Sequence, residues 1–174
     1  NDILDFSKIE AGKLTFQSLD FNLREVIYNL ATGFEIKARE KGVQFISEID
    51  EQIPDIVIGD QYRLNQIITN LVGNAIKFTK RGSISLNLKL IAKNTENVKI
   101  KFSVNDTGIG IAEDKLESIF NSFYQVDEPE LAKINGSGLG LTITKELINL
   151  QKGKLEATSK LGEGSTFEFT LDFK

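Results

Sequence analysis

Lys99-Ile100-Lys101-Phe102-Ser103-Val104, followed at once by Asp106-Thr107-Gly108-Ile109-Gly110-Ile111, is the stretch from which the fold is read. The first six residues alternate, so they form a strand with one buried face. A carboxylate at the end of a buried strand is costly unless something binds it. Gly108 and Gly110 let the backbone turn tightly and come close to a ligand. Two readings fit this stretch alone. Asp106 caps a turn that the glycines shape, or Asp106 reads a flat, hydrogen-bonding ligand.

Composition narrows the chemistry. The chain has 174 residues, which makes one domain or one domain plus a short appendage, and 40% of them are apolar. A net charge of −4 argues against a nucleic-acid groove, which needs a basic face. There is no Cys and no His. That excludes disulfides, thiolate or imidazole metal sites, and triads with a His base. No apolar run is long enough to span a bilayer, and no signal peptide is present, so the chain reads as a soluble cytoplasmic domain. Met is absent and the chain opens directly in helix, which reads as a piece of a longer protein.

Outward from the central stretch, the elements follow from capping and periodicity. Asn1 to Ala11 is helical, with Ile3, Leu4, Phe6 and Ile9 apolar and Gly12 as its stop. Lys13 to Asp20 is a connector. Asn22 caps the next helix, with Glu25 completing a capping box and Phe21 and Val26 placed as a hydrophobic staple. Its stripe is Leu23, Val26, Ile27, Leu30, Phe34 and Ala38, and Gly42 ends it. Strands are expected at Val43 to Ile49 and Ile56 to Ile58. Asp60 caps a helix from Gln61 to about Lys80. Ser83 to Ile91 and Asn97 to Val104 form a hairpin. Glu113 to Phe120 is a short helix, and Asn121 to Asn135 a long polar loop of the kind that is usually functional. Gly136 to Leu141 opens a helix to about Gln151, and strands at Lys154 to Ser159 and Ser165 to Phe173 complete the chain. The sum is α+β: a two-layer α/β sandwich with a mixed, mainly antiparallel sheet and helices on one face.

Three further segments carry chemistry. On the helix from Asp60, Leu64, Ile67, Ile68, Leu71 and Ala75 form the core stripe. Asn70, Asn74, Lys77 and Phe78 fall on an adjacent face. An Asn oxygen suits Mg²⁺, and Lys77 suits the phosphates that ion would hold. Gly136-Ser137-Gly138-Leu139-Gly140-Leu141 precedes a helix, whose free N–H groups make an anion site. Its spacing is neither a Walker A loop nor a dinucleotide fingerprint.

Together, and in this order, these segments resemble the ATP-binding domain of sensor histidine kinases, in the GHKL superfamily (Bergerat fold) shared with gyrase, Hsp90 and MutL. Asn70 to Thr79 is similar to the N box, and Asp106 to Ile111 to the first glycine box. Phe120-Asn121-Ser122-Phe123 is similar to the F box. Gly136 to Leu141 is similar to the second glycine box, and Gly162 to Phe167 to the distal one. Residues 1–14 resemble the end of the second helix of a dimerisation and phosphoacceptor domain, of hybrid type. Residues 15–21 would be a linker and residues 22–174 the catalytic domain, with a lid at about 121–137.

The resemblance implies roles. Asp106 would accept from the adenine amino group, with Gly108, Gly110, Ile111 and Thr166 around the base. Asn74 would bind Mg²⁺, with Asn70 lining the same site and Lys77 reaching phosphate. Phe78 and Phe120 would pack near the nucleotide. Gly136, Ser137, Gly138, Leu139, Gly140 and Leu141 would meet the phosphates. Asn70, Asn74 and Lys77 would serve catalysis. The cofactors implied are ATP or ADP and Mg²⁺. The partners implied are the protein's own phosphoacceptor domain, a response-regulator receiver domain and a second copy in a homodimer. The parent would be bacterial and membrane-anchored. Asn135 stands where a glycine often precedes the second glycine box, and Gln151-Lys152-Gly153 replaces Met-Gly-Gly. The alternative is a GHKL-type ATP-binding module or ATPase without kinase activity. ATPases of that kind carry a Glu base at the start of the N box, where this chain has Asn70, which cannot take a proton at neutral pH.

Overall fold

The structure is a computed structural model and describes residues 2–123 and 138–174. A five-stranded sheet is built from β2 (Gln44–Ile49), β4 (Ser83–Lys93), β5 (Val98–Asp106), β6 (Lys154–Lys160) and β7 (Gly164–Phe173). The strand order is β2-β4-β5-β7-β6. β2 and β4 run parallel and every other neighbouring pair antiparallel, so the sheet is mixed and mainly antiparallel as expected.

Alternation in β4, β5 and β7 sorts the two faces. Ile84, Leu86, Leu88, Ile100, Phe102, Val104, Phe167, Phe169 and Leu171 are buried on the inner face. Phe102 lies opposite Phe169 in register, and the rings stack with centroids 4.6 Å apart. The apolar stripes of α2 (Leu23–Glu40), α3 (Gln61–Phe78) and α4 (Gly140–Leu150) join the same core. The outer face carries Ser85, Asn87, Ser103, Asn105, Thr166 and Glu168, joined by side-chain hydrogen bonds.

Local chemistry fixes the helix ends. Asn22 Oδ1 accepts from the Glu25 N–H at 3.0 Å, and Asp60 Oδ1 from the Arg63 N–H at 2.9 Å, so both expected caps form. Ala31 joins the buried stripe of α2. α3 stops at Phe78, two residues before the expected end, because Thr79 is extended. At its C-terminus Lys41 Nζ donates to the Ile76 and Lys77 carbonyls, which the helix itself leaves unpaired.

Two expectations are corrected. The connector before Asn22 contains a strand, β1 (Leu19–Asn22), which pairs antiparallel with β3 (Ile56–Gly59) in a separate two-stranded sheet. Glu113 to Phe120 is not one helix but two single 3₁₀ turns, Glu113–Lys115 and Ser118–Phe120. The expected lid falls mostly on residues 124–137, outside the described residues.

The first helix, α1 (Asp2–Glu10), is docked on the body of the domain. Phe6 and Ile9 pack on the core, while Ile3 and Leu4 remain exposed. Among the described residues no helix is long and apolar enough to cross a membrane.

Candidate nucleotide site

Asp106 ends β5 in register with Ile84 on one neighbour and Ser165 on the other. Its carboxylate accepts the Gly108 N–H at 2.8 Å and also the Ser165 N–H. Burial pushes its pKa above the ordinary aspartate value, and the two N–H groups only partly offset this. Beside it, Thr79 Oγ1 is buried with no hydrogen-bond partner. A half-buried acceptor with capacity to spare and an orphaned hydroxyl fit a ligand that brings its own N–H donors.

The glycine turn after Asp106 is clamped on three sides. The Thr107 N–H donates to Ser83 O and the Ile109 N–H to Phe78 O, while Ile109 O accepts the Gly162 N–H. A Cβ at Gly108 would lie 2.6 Å from Phe78 O. At Gly110 the backbone has φ +69°, and a Cβ would lie 2.0 Å from Lys160 O. Both glycines are thus required by protein backbone pressing on the turn, whatever ligand the turn also meets.

α3 presents the polar residues expected of it at successive turns. Asn70 Nδ2 donates to Thr144 Oγ1 at 2.8 Å, and a Cβ at Gly140 would sit 2.3 Å from Asn70 Oδ1. Asn70 therefore joins α3 to α4, and Gly140 makes room for it. Asn74, one turn on, makes no side-chain hydrogen bond among the described residues. Lys77 is half-buried, and burial lowers its pKa. Its ammonium lies 5.1 Å from the Phe78 ring centroid. A partly desolvated lysine on the same face of α3 as Asn74 is a setting for phosphate.

No side chain caps the N-terminus of α4, and its first turn carries no acid. The start of a helix favours an anion. Gly138 has φ +70°, and Leu139 is buried. Leu141 and Ile111 are partly buried against the core. Phe120 packs edge-on against Phe167, under Lys145, and its carbonyl accepts from Thr142. Gly136 and Ser137 lie outside the described residues.

One expected position moves. Thr166 pairs with Asn105 and donates to its Oδ1 at 2.9 Å, on the outer face of the sheet. The residue beside Asp106 is Ser165. The signal was in the sequence: Phe167, Phe169 and Leu171 set the inner parity of β7, and Ser165 shares it while Thr166 does not. Ser159, Asp5, Arg63 and Gln66, described below, had no comparable signal.

Residues 59–174 match the family described as histidine kinase-, DNA gyrase B-, and HSP90-like ATPase. The chain belongs to this family. Within it, the chain resembles the ATP-binding catalytic domains of histidine kinases. It is 43% identical over 172 residues to the signal transduction histidine-protein kinase BarA of Escherichia coli, covering 99% of this chain and 19% of BarA. It is 46% identical over 175 residues to the autoinducer 2 sensor kinase/phosphatase LuxQ of Vibrio vulnificus, covering 98% of this chain and 20% of LuxQ. The chain thus spans about a fifth of these relatives. Among solved structures it resembles full-length ShkA in complex with AMPPNP, with TM-score 0.86 and 31% identity over 99% of this chain and 35% of ShkA. The catalytic domain of the histidine kinase ThkA superposes with TM-score 0.68 at 29% identity, over 91% of this chain and 95% of that one.

Proposed function

We propose that this histidine kinase domain binds ATP with Mg²⁺ and directs the γ-phosphoryl group to a histidine outside this chain, for relay to a receiver domain. The observation that carries the reading is Asp106: a half-buried carboxylate, satisfied only by backbone N–H groups, with acceptor capacity to spare. Adenine presents an amino group that matches it, and a carbonyl at the same position would be repelled.

Each site residue then has a task. Asp106 orients the base, and Ser165 stands beside it where Thr166 was expected. Lys77 places a positive charge toward the phosphates, and the start of α4, with Gly138, Gly140 and Leu141, faces them with backbone N–H groups. Asn74 is the carboxamide suited to Mg²⁺, which when bound neutralises phosphate charge. Asn70 holds α4, and so its N-terminus, against α3. Phosphoryl transfer needs little more from the protein than such positioning and electrostatics. Asn70 is no proton acceptor and is engaged with Thr144, so activation of water at that position is disfavoured.

The chain contains no His, so the acceptor is supplied from elsewhere. Residues 1–14 are proposed as the end of a helix of the dimerisation and phosphoacceptor domain, joined to the catalytic domain by the short segment before β1, and the parent as a homodimer through that domain. The test is incubation with γ-labelled ATP and Mg²⁺, with and without a helical hairpin that bears the acceptor histidine. Label on the hairpin that is lost in Asn74→Ala supports the reading. Phosphate release to water at the same rate with and without the hairpin would overturn it.

A further inference from the structure

Ser159 on β6 lies across from Ser165, and its hydroxyl has three partners. It lies 2.7 Å from the Ile111 N, 2.8 Å from Gly164 O and 2.8 Å from Ser165 Oγ. A hydroxyl has a single proton. The Ile111 N–H can only donate and the Gly164 carbonyl can only accept. The Ser159 proton therefore goes to Gly164, and Ser159 accepts from Ile111. It follows that the Ser165 hydroxyl donates to Ser159 and keeps its own lone pairs free.

We propose that Ser159 is a positioning and specificity residue: by taking the Ser165 proton it turns the Ser165 hydroxyl, like the Asp106 carboxylate, into an acceptor toward the base. The inference rests on the reading that Asp106 receives the base of a nucleotide. Ser165 is buried and lies directly opposite Asp106, to which it also gives its backbone N–H. The wall then offers a carboxylate and a hydroxyl oxygen, both wanting donors. A 6-amino purine, directly or through a water, satisfies them. A 6-oxo purine brings an acceptor to both and leaves them unpaired. The same hydroxyl also fixes the Ile111 N–H, so it ties the first glycine turn to the distal one.

Without Ser159 the Ser165 hydroxyl can rotate and donate. Ser159→Ala should then lose discrimination, not merely affinity. The test is calorimetric titration of the whole chain with ADP and with IDP, each with Mg²⁺, for wild type, Ser159→Ala and Ser159→Thr. Wild type should prefer ADP. Ser159→Ala should narrow the ADP-to-IDP affinity ratio by about 3- to 10-fold, the worth of one neutral hydrogen bond. Ser159→Thr, which keeps the hydroxyl, should restore it. A purely structural role would weaken both ligands alike and leave the ratio in place. A ratio in Ser159→Ala within twofold of wild type would overturn the proposal, as would failure of the Thr variant to restore it. If Ser159→Ala does not fold, Ser165→Ala decides: it removes the acceptor and should narrow the ratio equally, and an unchanged ratio refutes the proposal. A wild type that binds neither nucleotide would instead refute the Asp106 reading and this inference with it.

Discussion

Asp5 sits on α1, only 8% exposed, at the point where that helix meets α3. Arg63 Nη1 donates to its Oδ1 at 3.1 Å and Gln66 Nε2 to its Oδ2 at 2.9 Å, while Arg63 also bonds Gln66 at 2.7 Å. Asp5→Ala removes two charge-assisted hydrogen bonds and leaves a largely buried guanidinium with only Gln66 and the Tyr62 ring among the described residues. Breaking a fully buried pair costs about 3–5 kcal/mol when the survivor has no route to water. Here a route exists. α1 leaves Ile3 and Leu4 exposed and packs on the body through Phe6 and Ile9, so it can lift off and let Arg63 rehydrate. The cost therefore appears as easier undocking of α1, about 2 kcal/mol, with under about 1 kcal/mol lost from the core. In native-state hydrogen exchange, amides of α1 should exchange about 30-fold faster in the mutant while those of β5 hold within about fivefold. A helix this short is marginal alone, so its protection reports docking. Unchanged exchange in α1, or equal loss across α1 and β5, would show that Asp5 does not hold α1 in place. The pH dependence has a definite sign. Burial pushes the Asp5 carboxyl up, but the hydrogen bonds from Gln66 and Arg63, with the Arg63 charge, outweigh it and hold the pKa below the ordinary aspartate value. A lowered folded-state pKa gives stability that is present above the unfolded value and lost as pH falls through the folded one. Docking of α1 should therefore persist through neutral pH and weaken only below the usual carboxylate range.

Asp106 behaves in the opposite way. Its raised pKa means that ligand-free stability falls as pH rises from the unfolded value through the folded one. The melting temperature of Asp106→Asn relative to wild type should therefore climb between acid and neutral pH, and thermal melts showing a flat or falling difference would contradict this. Gly140→Ala gains helix propensity of up to about 1 kcal/mol but pushes a Cβ into Asn70 Oδ1, an overpacking cost of about 1–3 kcal/mol. The balance should be net destabilisation of about 1 kcal/mol in urea unfolding, and a stabilised variant would show that the α3–α4 joint is soft. Asn22→Ala should cost about 1 kcal/mol through the lost cap, read as a lower urea midpoint with unchanged slope.

What the sequence revealed depends on range. Caps and stripes are local, so Asn22, Asp60 and the core faces of α2, α3 and β7 were legible. The polarity of the sheet was legible too, because alternation survives burial on one face only. β1 was missed because Leu19–Asn22 is a short strand whose partner, β3, lies far along the chain and forms with it a separate small sheet. The glycines at 108 and 110 were visible, but their neighbours were not: the Phe78 and Lys160 carbonyls that crowd them come from other elements. Thr166 was chosen by motif, and strand parity moves the position to Ser165. Asp5 with Arg63 and Gln66, and Ser159 with Ile111, are contacts between elements distant in sequence, and single polar residues give no period by which to find them.

The central claim is that Asp106 reads the base of a nucleotide. Its most direct measurement is calorimetric titration of the chain with ADP and Mg²⁺ beside Asp106→Asn at neutral pH. Saturable binding to wild type is expected, with at least roughly 10-fold weaker binding to the mutant, the worth of a charge-assisted hydrogen bond. Equal affinity in the two proteins, or no binding to wild type, would contradict it.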